Sequence, residues 1–540
     1  MKDTVKPSRK PRVLLELRPA FDGYAGIPQE TRLLFRGLRT LDSYEVAGLL
    51  QMSHRVLAKG TSAEGNFLSL LRFTEAAKVN RYSRVAISAA EHPYATPLER
   101  FLDACGRRFM SVTLMLQALL ELNVKLWSFR GKYFEDFIWR TLFAKSLPAA
   151  DFDLVTAANH LVCRAPWDTM HRAGLNSLAF RRMAKYPKLR TRGVDVFIAQ
   201  TPYPGRVSRG TSMIVRYHDA LPIFMPHTIP DKSVHQANHF RSLEANVDAG
   251  TGFACVSEAT RNDLLRVFPK AEQQAVVIHN MVSHHYFTED SSPELVPGIV
   301  RARVYELDAT KPKFLTLREQ ESFYTRCLHR KPFRYLLSVS TIEPRKNHMR
   351  LLAAWEVLKA ETDPELKLVV VGTLGWDNAL ILRGFRPWID RGELFMLNAV
   401  PAPDLRVLYR HAAATVCPSV GEGFDFSGVE AMRSGGVVIA SGIPVHREIY
   451  GDAAVYFDPY STAELVAATK QVLYGGQATG VQEHLRRQGR EVSQRYLPAQ
   501  ILPLWDRYLS QVFAGRTLAG GEIGASARRP IKPVGVTEES

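Results

Sequence analysis

Short runs of β-branched and aliphatic residues alternate along this chain with longer segments of helical period. This alternation is typical of βαβ units, in which helices connect parallel strands. The pattern predicts an α/β fold with two doubly wound domains, whose ligands bind at the carboxyl ends of the strands. The predicted strands are 13–17, 46–50, 194–199, 213–217, 251–256 and 275–278 in the first domain, and 335–339, 366–371, 394–398, 414–417, 437–440 and 454–457 in the second.

The predicted domain boundaries lie where this alternation stops. Residues 300–333 are charged and lack a clean period, so they are interpreted as a linker region. The segment 55–150 is helical, aromatic and basic, which predicts a helical insertion that faces the acceptor or a membrane. Composition predicts disorder at the end of the chain. The predicted parts are an N-terminal domain (1–310), a C-terminal domain (331–490), a C-terminal helix (491–513) and a disordered tail (514–540).

Composition narrows the class of protein. The chain has 540 residues and five cysteines, and the cysteines lack CxxC spacing, so neither a disulfide framework nor a zinc site is indicated. The basic N-terminus is followed by an apolar run too short for a signal peptide, which predicts a cytoplasmic location. The formal net charge of +16 suits nucleic acid, an anionic membrane or phosphorylated substrates equally well.

The longest apolar stretch, 109–127, has the sequence FMSVTLMLQALLELNVKLW. It is interrupted by Gln117, Glu121, Asn123 and Lys125, so it does not predict a membrane-spanning helix. Two interpretations remain open: a buried amphipathic helix, and a helix that lies in a membrane interface.

Two glutamates flank a glycine-containing loop in SVGEGFDFSGVEAM, residues 419–432. Ser427 and Glu430 have the S-x-x-E spacing of a capping box, which predicts that Glu430 supports the start of a helix. Glu422 lies in the loop at the carboxyl end of a predicted strand, where a cap or helix partner is not expected. We therefore predict that Glu422 binds a ligand.

The segment STIEPRKNHMRLL, 340–352, supplies positive charge to the same site. Arg345 and Lys346 fall at a predicted strand-to-helix turn, where backbone N–H groups and the helix dipole favour an anion. Cations at that turn are unfavourable for the helix itself, so they indicate a bound phosphate. The alternative is a basic helix start on a solvated surface.

Several motifs together resemble the retaining glycosyltransferases of family 4, which have the GT-B fold of two facing Rossmann-like domains. The resemblance covers about 10–50 and 195–475 and leaves the insertion out. The matching segments, in order, are YAGIPQETRLLFRGL (24–38), RYHDALP (216–222), CVSEATRNDLL (255–265), the EPRKN turn (343–347), EGFDFSGVEAM (422–432) and VVIASGIPVHREIYGDAAVYFDP (437–459).

The resemblance implies a role for each matching position. Glu422 would contact hydroxyls of the donor sugar, and Glu430 would bind the ribose of the nucleotide. Lys346 and Arg345 would neutralise the diphosphate leaving group. His218 would approach the sugar from the opposite domain, and Gly26 would let the first loop come close to the phosphates or the acceptor. Backbone N–H groups around the loop would bind sugar and phosphate oxygens, at Gly423, Phe424, Asp425, Phe426 and Ser427.

The chain departs from the family pattern at several places, and two of them lie in the candidate site. Family members commonly carry G-F-G-L-P after the first glutamate, whereas Asp425 stands here in place of the second glycine. We expect the loss of this glycine to change how closely the backbone approaches the sugar. We expect the added carboxylate to change which donor sugar is accepted. Relatives also often carry an arginine just before the lysine, where this chain has Ser340 or Thr341, and Arg345 is the predicted substitute.

Two further candidates for metal or hydrolytic sites have simpler explanations. Asp151-Phe152-Asp153 is a D-x-D motif, but it precedes Leu154-Val155-Thr156 in the manner of an ordinary strand start. His284-His285 and His218-Asp219 lack a third partner at ligand spacing. We therefore expect neither a metal nor another cofactor.

The favoured hypothesis is a retaining transferase that moves a hexosyl unit, such as mannosyl, from a nucleotide diphosphate-sugar to a lipid-linked or polysaccharide acceptor of a bacterial surface glycan. Attachment to the inner face of the membrane is left open. A second hypothesis is another GT-B enzyme, either a nucleotide-sugar epimerase or a phosphorylase. A third is a non-enzymatic basic protein that binds membrane or nucleic acid, although dispersed charges and the lack of a recognition motif count against nucleic acid.

Overall fold

The computed structural model describes residues 9–24, 26–62, 74–90, 94–328 and 332–515. The tail that was predicted to be disordered lies outside the described residues from position 516 onward. Two large sheets, each covered by helices on both faces, dominate the structure.

The first sheet has nine strands in the order β11-β10-β9-β8-β1-β2-β6-β5-β3. Pairing is parallel throughout, except that β5 is antiparallel to both of its neighbours. A separate parallel pair joins β4 to β7. The strands are β1 (Arg12–Glu16), β2 (Glu45–Leu50), β3 (Thr61–Ser62), β4 (Asn123–Val124), β5 (Trp127–Arg130), β6 (Asn159–Val162), β7 (Lys188–Leu189), β8 (Val196–Ala199), β9 (Ser212–Tyr217), β10 (Gly252–Cys255) and β11 (Ala275–Val277).

The second sheet is all parallel, in the order β14-β13-β12-β15-β16-β17. The chain places β13 on one side of β12 and then crosses to place β15 on the other side. This reversal of strand order creates a crevice at the carboxyl ends of β12 and β15, where ligands of such sheets bind. The strands are β12 (Tyr335–Val339), β13 (Lys367–Val371), β14 (Leu394–Leu397), β15 (Ala414–Cys417), β16 (Val438–Ser441) and β17 (Ala454–Phe457).

The α-helices connect these strands and pack on the sheets through their apolar faces. Those up to residue 303 are Ile27–Arg39, Glu75–Ala89, Pro97–Leu119, Glu135–Ile138, Phe152–Thr156, Trp167–Asn176, Leu221–Phe224, Lys232–Asp248, Glu258–Val267 and Leu295–Arg303. The later ones are Leu317–Cys327, His348–Glu361, Ala379–Arg391, Ala402–His411, Phe426–Arg433, Pro444–Tyr450, Thr462–Leu473, Ala478–Gln494 and Pro498–Phe513.

All twelve predicted strands are present, because each carries aliphatic residues that are buried on both faces of a parallel sheet. The predicted insertion is helical over most of its described length, and it also contributes β3, β4 and β5 to sheets. The prediction that Asp151-Phe152-Asp153 starts a strand was wrong, since Phe152–Thr156 is a short helix. The side chain of Val155, in this helix, is buried in a hydrophobic core to which the first sheet contributes.

Segments at both ends of the C-terminal domain cross between the domains. Val304 forms a bridge with Leu397 of β14, so the end of the helix Leu295–Arg303 already contacts the second sheet. The helix Pro498–Phe513 returns to the first domain, where Asp506 accepts a hydrogen bond from the Tyr44 hydroxyl at 2.7 Å. These crossings couple the two domains at a distance from the crevice.

Candidate active site

Two loops meet at the crevice of the second sheet. The first follows β12 and contains the 3₁₀ turn Pro344–Lys346, and the second follows β15 and contains Glu422. Arg345 donates from Nη1 to Glu422 Oε2 at 2.9 Å, and Lys346 forms an ion pair with Glu422 Oε1. Sequence reasoning placed these three residues in one site, and the structure brings them into direct contact.

The charges of this cluster compensate one another in a buried setting. Burial alone would raise the pKa of Glu422, but Arg345 and Lys346 outweigh it and hold that pKa below its ordinary value. Burial likewise opposes the charge of Arg345, yet Glu422 and Glu343 raise its pKa above the ordinary value. Glu422 is therefore ionised at neutral pH, and its carboxylate can only accept hydrogen bonds.

Asp425 forms the start of the next helix, Phe426–Arg433. Its Oδ1 accepts hydrogen bonds from the Ser427 backbone N–H at 3.1 Å and from the Ser427 hydroxyl at 2.7 Å. Its Oδ2 lies 3.2 Å from His446 Nε2. Burial opposes the charge, but the His446 hydrogen bond and the charge of Lys346 hold the pKa of Asp425 far below its ordinary value. The predicted capping box of Ser427 with Glu430 was wrong, because Asp425 is the N-cap residue.

Glu430 points instead towards the first domain. Its Oε1 accepts from Gln29 Nε2 at 2.8 Å, and its Oε2 accepts from the Tyr409 hydroxyl at 3.3 Å. Burial raises its pKa from 4.5 to about 7, and the hydrogen bonds from Gln29 and Tyr409 oppose that rise. Gln29 lies in the helix Ile27–Arg39, whose N-cap residue Gly26 has a φ of 70°.

The loops of the two domains touch at Gly423. A Cβ atom at this position would lie 1.8 Å from the carbonyl oxygen of His218, so only glycine allows this approach. The Ser257 hydroxyl donates to the Gly423 carbonyl oxygen at 2.8 Å. His218 itself is buried, and burial and the charge of Arg216 hold its pKa well below the ordinary value. Its imidazole is therefore neutral, and Nε2 has no hydrogen-bond partner among the described residues.

The remaining predicted site residues belong to the loop that follows β15 and to the start of the next helix. Phe424 is buried and contacts Phe426 at a ring separation of 5.3 Å. Within the ranges that the structure describes, we find no group of three or more His, Cys, Asp or Glu side chains able to hold a metal ion. The expectation of a site without a metal stays a prediction.

Sequence reasoning also missed the contacts that Glu448 makes with the first domain. Glu448 accepts hydrogen bonds from the backbone N–H groups of Glu258 and Ala259, at 2.7 and 2.9 Å, and lies 3.0 Å from His279 Nε2. It thereby caps a helix of the first domain, together with Ser257. The S-x-x-T motif at 257–260 signalled the helix start, but the chain gives no local signal for a partner nearly 190 residues away.

Two α/β domains that face each other across such a site define the GT-B architecture, and the fold prediction is confirmed. Sucrose-phosphate synthase from Thermosynechococcus elongatus superimposes with a TM-score of 0.54 at 13% identity, covering 94% of this chain and all of that one. At this identity the likeness concerns the fold alone.

Sequence comparison points to the same class. Residues 326–492, which contain both loops of the crevice, match the family described as Glycosyl transferases group 1. The O-antigen chain mannosyltransferase B of Escherichia coli is 27% identical over 270 residues, which is 50% of this chain and 62% of that protein. The serotype-specific mannosyltransferase WbdA of Escherichia coli is 33% identical over 139 residues, or 25% of this chain and 17% of that protein. The chain therefore spans less than two thirds of these relatives, and the matches support a glycosyltransferase.

Proposed function

We propose that this protein is a retaining glycosyltransferase that moves a hexosyl unit, most simply mannosyl, from a nucleotide diphosphate-sugar to a lipid-linked or polysaccharide acceptor. The mannosyl unit and the surface glycan are inferred from relatives whose names state mannosyltransferase and O-antigen. Retention is inferred from the family resemblance.

One observation carries the proposal: Arg345 and Lys346 form a buried cluster with the carboxylates of Glu422 and Glu343 at the carboxyl ends of β12 and β15. The adjoining Gly423 closely approaches the His218 carbonyl oxygen. A diphosphate leaving group gains negative charge as its bond to the sugar breaks. We propose that Arg345 and Lys346 would neutralise that charge without a metal, in a site where burial strengthens the interaction.

The other roles follow from protonation state and position. Glu422 is ionised and would accept hydrogen bonds from sugar hydroxyls, while it orients both cations. Glu430 has a pKa near neutrality and would contact the ribose. Both glutamates would bind the donor, so we do not propose an acid/base pair. His218 would act as a neutral imidazole beside the sugar. The backbone N–H groups of 423–427 would donate hydrogen bonds to oxygens of the donor, and Gly26 would let the first loop approach the donor from across the cleft.

Thermal-shift screening against GDP-, UDP-, ADP- and dTDP-sugars tests donor binding directly, since a ligand that binds the folded state raises the melting temperature. We expect one nucleotide class to give a shift and to support transfer to a saccharide acceptor, with the anomeric configuration read by NMR. A chain that shifts with none of them, or that carries the absorbance of pyridoxal phosphate, would refute the proposal.

Two substitutions test the cluster. Glu422→Gln keeps the shape and removes the charge, and Lys346→Ala removes one cation, so each should reduce transfer by at least about a hundredfold. Lys470→Ala is the matched control, because Lys470 forms a surface ion pair with Glu361 at 3.0 Å. Near-normal transfer by either site variant would exclude the assigned roles.

A further inference from the structure

The helix Pro97–Leu119 presents a row of exposed apolar side chains to solvent. They recur at intervals of three, four and seven residues, which places them on one face of the helix. Phe109 is the most exposed of them, at 76%. We call this set the apolar stripe: Leu98, Phe101, Leu102, Phe109, Val112, Leu116 and Leu120.

The stripe is not simply the outer face of a poorly packed helix. In the second half of the helix the opposite face is buried against the first domain through Ser111, Leu114, Met115 and Ala118. Thr96 caps the helix by accepting from the Glu99 backbone N–H at 3.2 Å. The part of the stretch 109–127 that lies in this helix therefore has one face in the core, as the amphipathic-helix interpretation predicts. Its other face is an exposed apolar surface of the kind that marks an interaction site, and the membrane-interface interpretation stays a prediction.

A basic segment adjoins the end of the stripe. Residues 180–192, FRRMAKYPKLRTR, contain Arg and Lys at six positions and neither Asp nor Glu. Glu121, just beyond the helix, pairs with Lys185 at 2.6 Å and with Arg206 at 3.0 Å, which ties the helix end to this segment. Phe180, 69% exposed, adds an apolar side chain beside Arg181 and Arg182.

A cavity of about 840 Å³ opens beside the same basic segment. It lies in the first domain, near the amino-terminal ends of β9 and β10. The carboxyl ends of these strands are the ones that face the second domain. Lys185, Lys188, Arg206 and Arg209 line it, with Asp248 as the single carboxylate of the lining. The cavity is suited to the phosphate of an anionic head group.

We propose that the apolar stripe and the basic segment together form a docking surface for an anionic lipid bilayer. Apolar side chains would enter the acyl boundary while the cations contact phosphates, as in interfacial helices. A second copy of the chain fits less well, because self-docking would bring like charges together. None of the helices within the described ranges is both long and apolar enough to span a membrane. This surface goes beyond the proposed transfer reaction and does not depend on it.

Sedimentation with vesicles tests the proposal without any measurement of transfer. The full chain should bind vesicles of phosphatidylcholine and phosphatidylglycerol, bind those of phosphatidylcholine alone at least about tenfold more weakly, and be released by high salt. Because each cation near an anionic surface contributes about fivefold, Arg181→Glu with Arg182→Glu should weaken binding by about twentyfold or more.

The stripe is tested by combining Phe101→Ser, Phe109→Ser and Leu116→Ser. These side chains are exposed, so thermal melting should not change, while vesicle binding should be lost. The matched control combines Leu315→Ser, Leu317→Ser and Leu380→Ser, which are exposed leucines outside the proposed surface. Equal binding by the stripe and control variants would overturn the proposal. So would a chain that ignores vesicles, or one that forms a dimer which the stripe variant abolishes.

Discussion

Glu430→Gln should stabilise the protein at alkaline pH, which is the opposite of what a capping box predicts. Glu430 is 4% exposed, and burial raises its pKa from 4.5 to about 7. The protonated form is thus favoured by folding, so stability is fully present below the unfolded pKa of 4.5 and is lost as pH rises through 7. The full loss is about 3 kcal/mol, since each pKa unit corresponds to about 1.4 kcal/mol.

Glutamine keeps the shape and removes the titration. Between about pH 5.5 and pH 8.5 the wild-type chain should lose about 2 kcal/mol of unfolding free energy that the variant keeps. The difference in unfolding free energy between the two proteins should therefore change by that amount. Denaturant unfolding of both chains at the two pH values measures this difference, in which all other titrating groups cancel. Exposed Glu464, at the third position of the helix capped by Ser461, supplies the control Glu464→Gln, in which the same change is made at a side chain that is not buried. A Glu430→Gln variant that is equally destabilised at both pH values would refute the burial argument.

Two further predictions concern the contact between the domains, and a third concerns backbone strain at Asp425. Gly423→Ala places a methyl group against the His218 carbonyl oxygen, so we expect a larger radius of gyration by solution scattering and loss of transfer; an unchanged radius would contradict this. Glu448→Gln removes charge-assisted hydrogen bonds across the interface and should cost about 1–3 kcal/mol of unfolding free energy in denaturant unfolding; an unchanged free energy would show that the cap is dispensable. Asp425→Ala should be about 1 kcal/mol less stable than Asp425→Gly, because both lose the carboxylate but only glycine tolerates a φ of 64° without strain; equal stabilities would argue against strain.

The parallel sheets were predictable from the sequence because buried strands of this kind are continuous aliphatic runs. The strands β3, β4, β5, β6 and β7 were not predicted. The strands β3, β4 and β7 have only two residues each, so no period can be recognised over that length, and β5 (WSFR) and β6 (NHLV) include polar residues, so neither is a continuous aliphatic run. The helix Phe152–Thr156 was mistaken for a strand for a related reason. Its apolar residues are too few to distinguish a period of two from a period of 3.6.

The candidate site was predictable as a set of residues but not as a set of contacts. Glycine spacing and the EPRKN turn predicted that Glu422, Arg345 and Lys346 share one crevice. Their mutual ion pairs depend on how two loops from neighbouring strands approach each other, which the sequence does not encode locally. The contact of Gln29 with Glu430 joins residues 401 positions apart, so only the packing of the two domains brings it about.

Asp425 shows how a departure from a family motif can keep the geometry of the motif. Glycine commonly occupies this position because the loop needs a positive φ, and Asp425 adopts a φ of 64°. Aspartate is among the few other residues that enter this region, because its carboxylate can hydrogen-bond the nearby backbone. Its bonds to Ser427 and His446 offset the cost of that conformation. The chain therefore gains a buried carboxylate beside Glu422, so a donor hydroxyl that reaches this part of the loop would meet an acceptor where a glycine offers none.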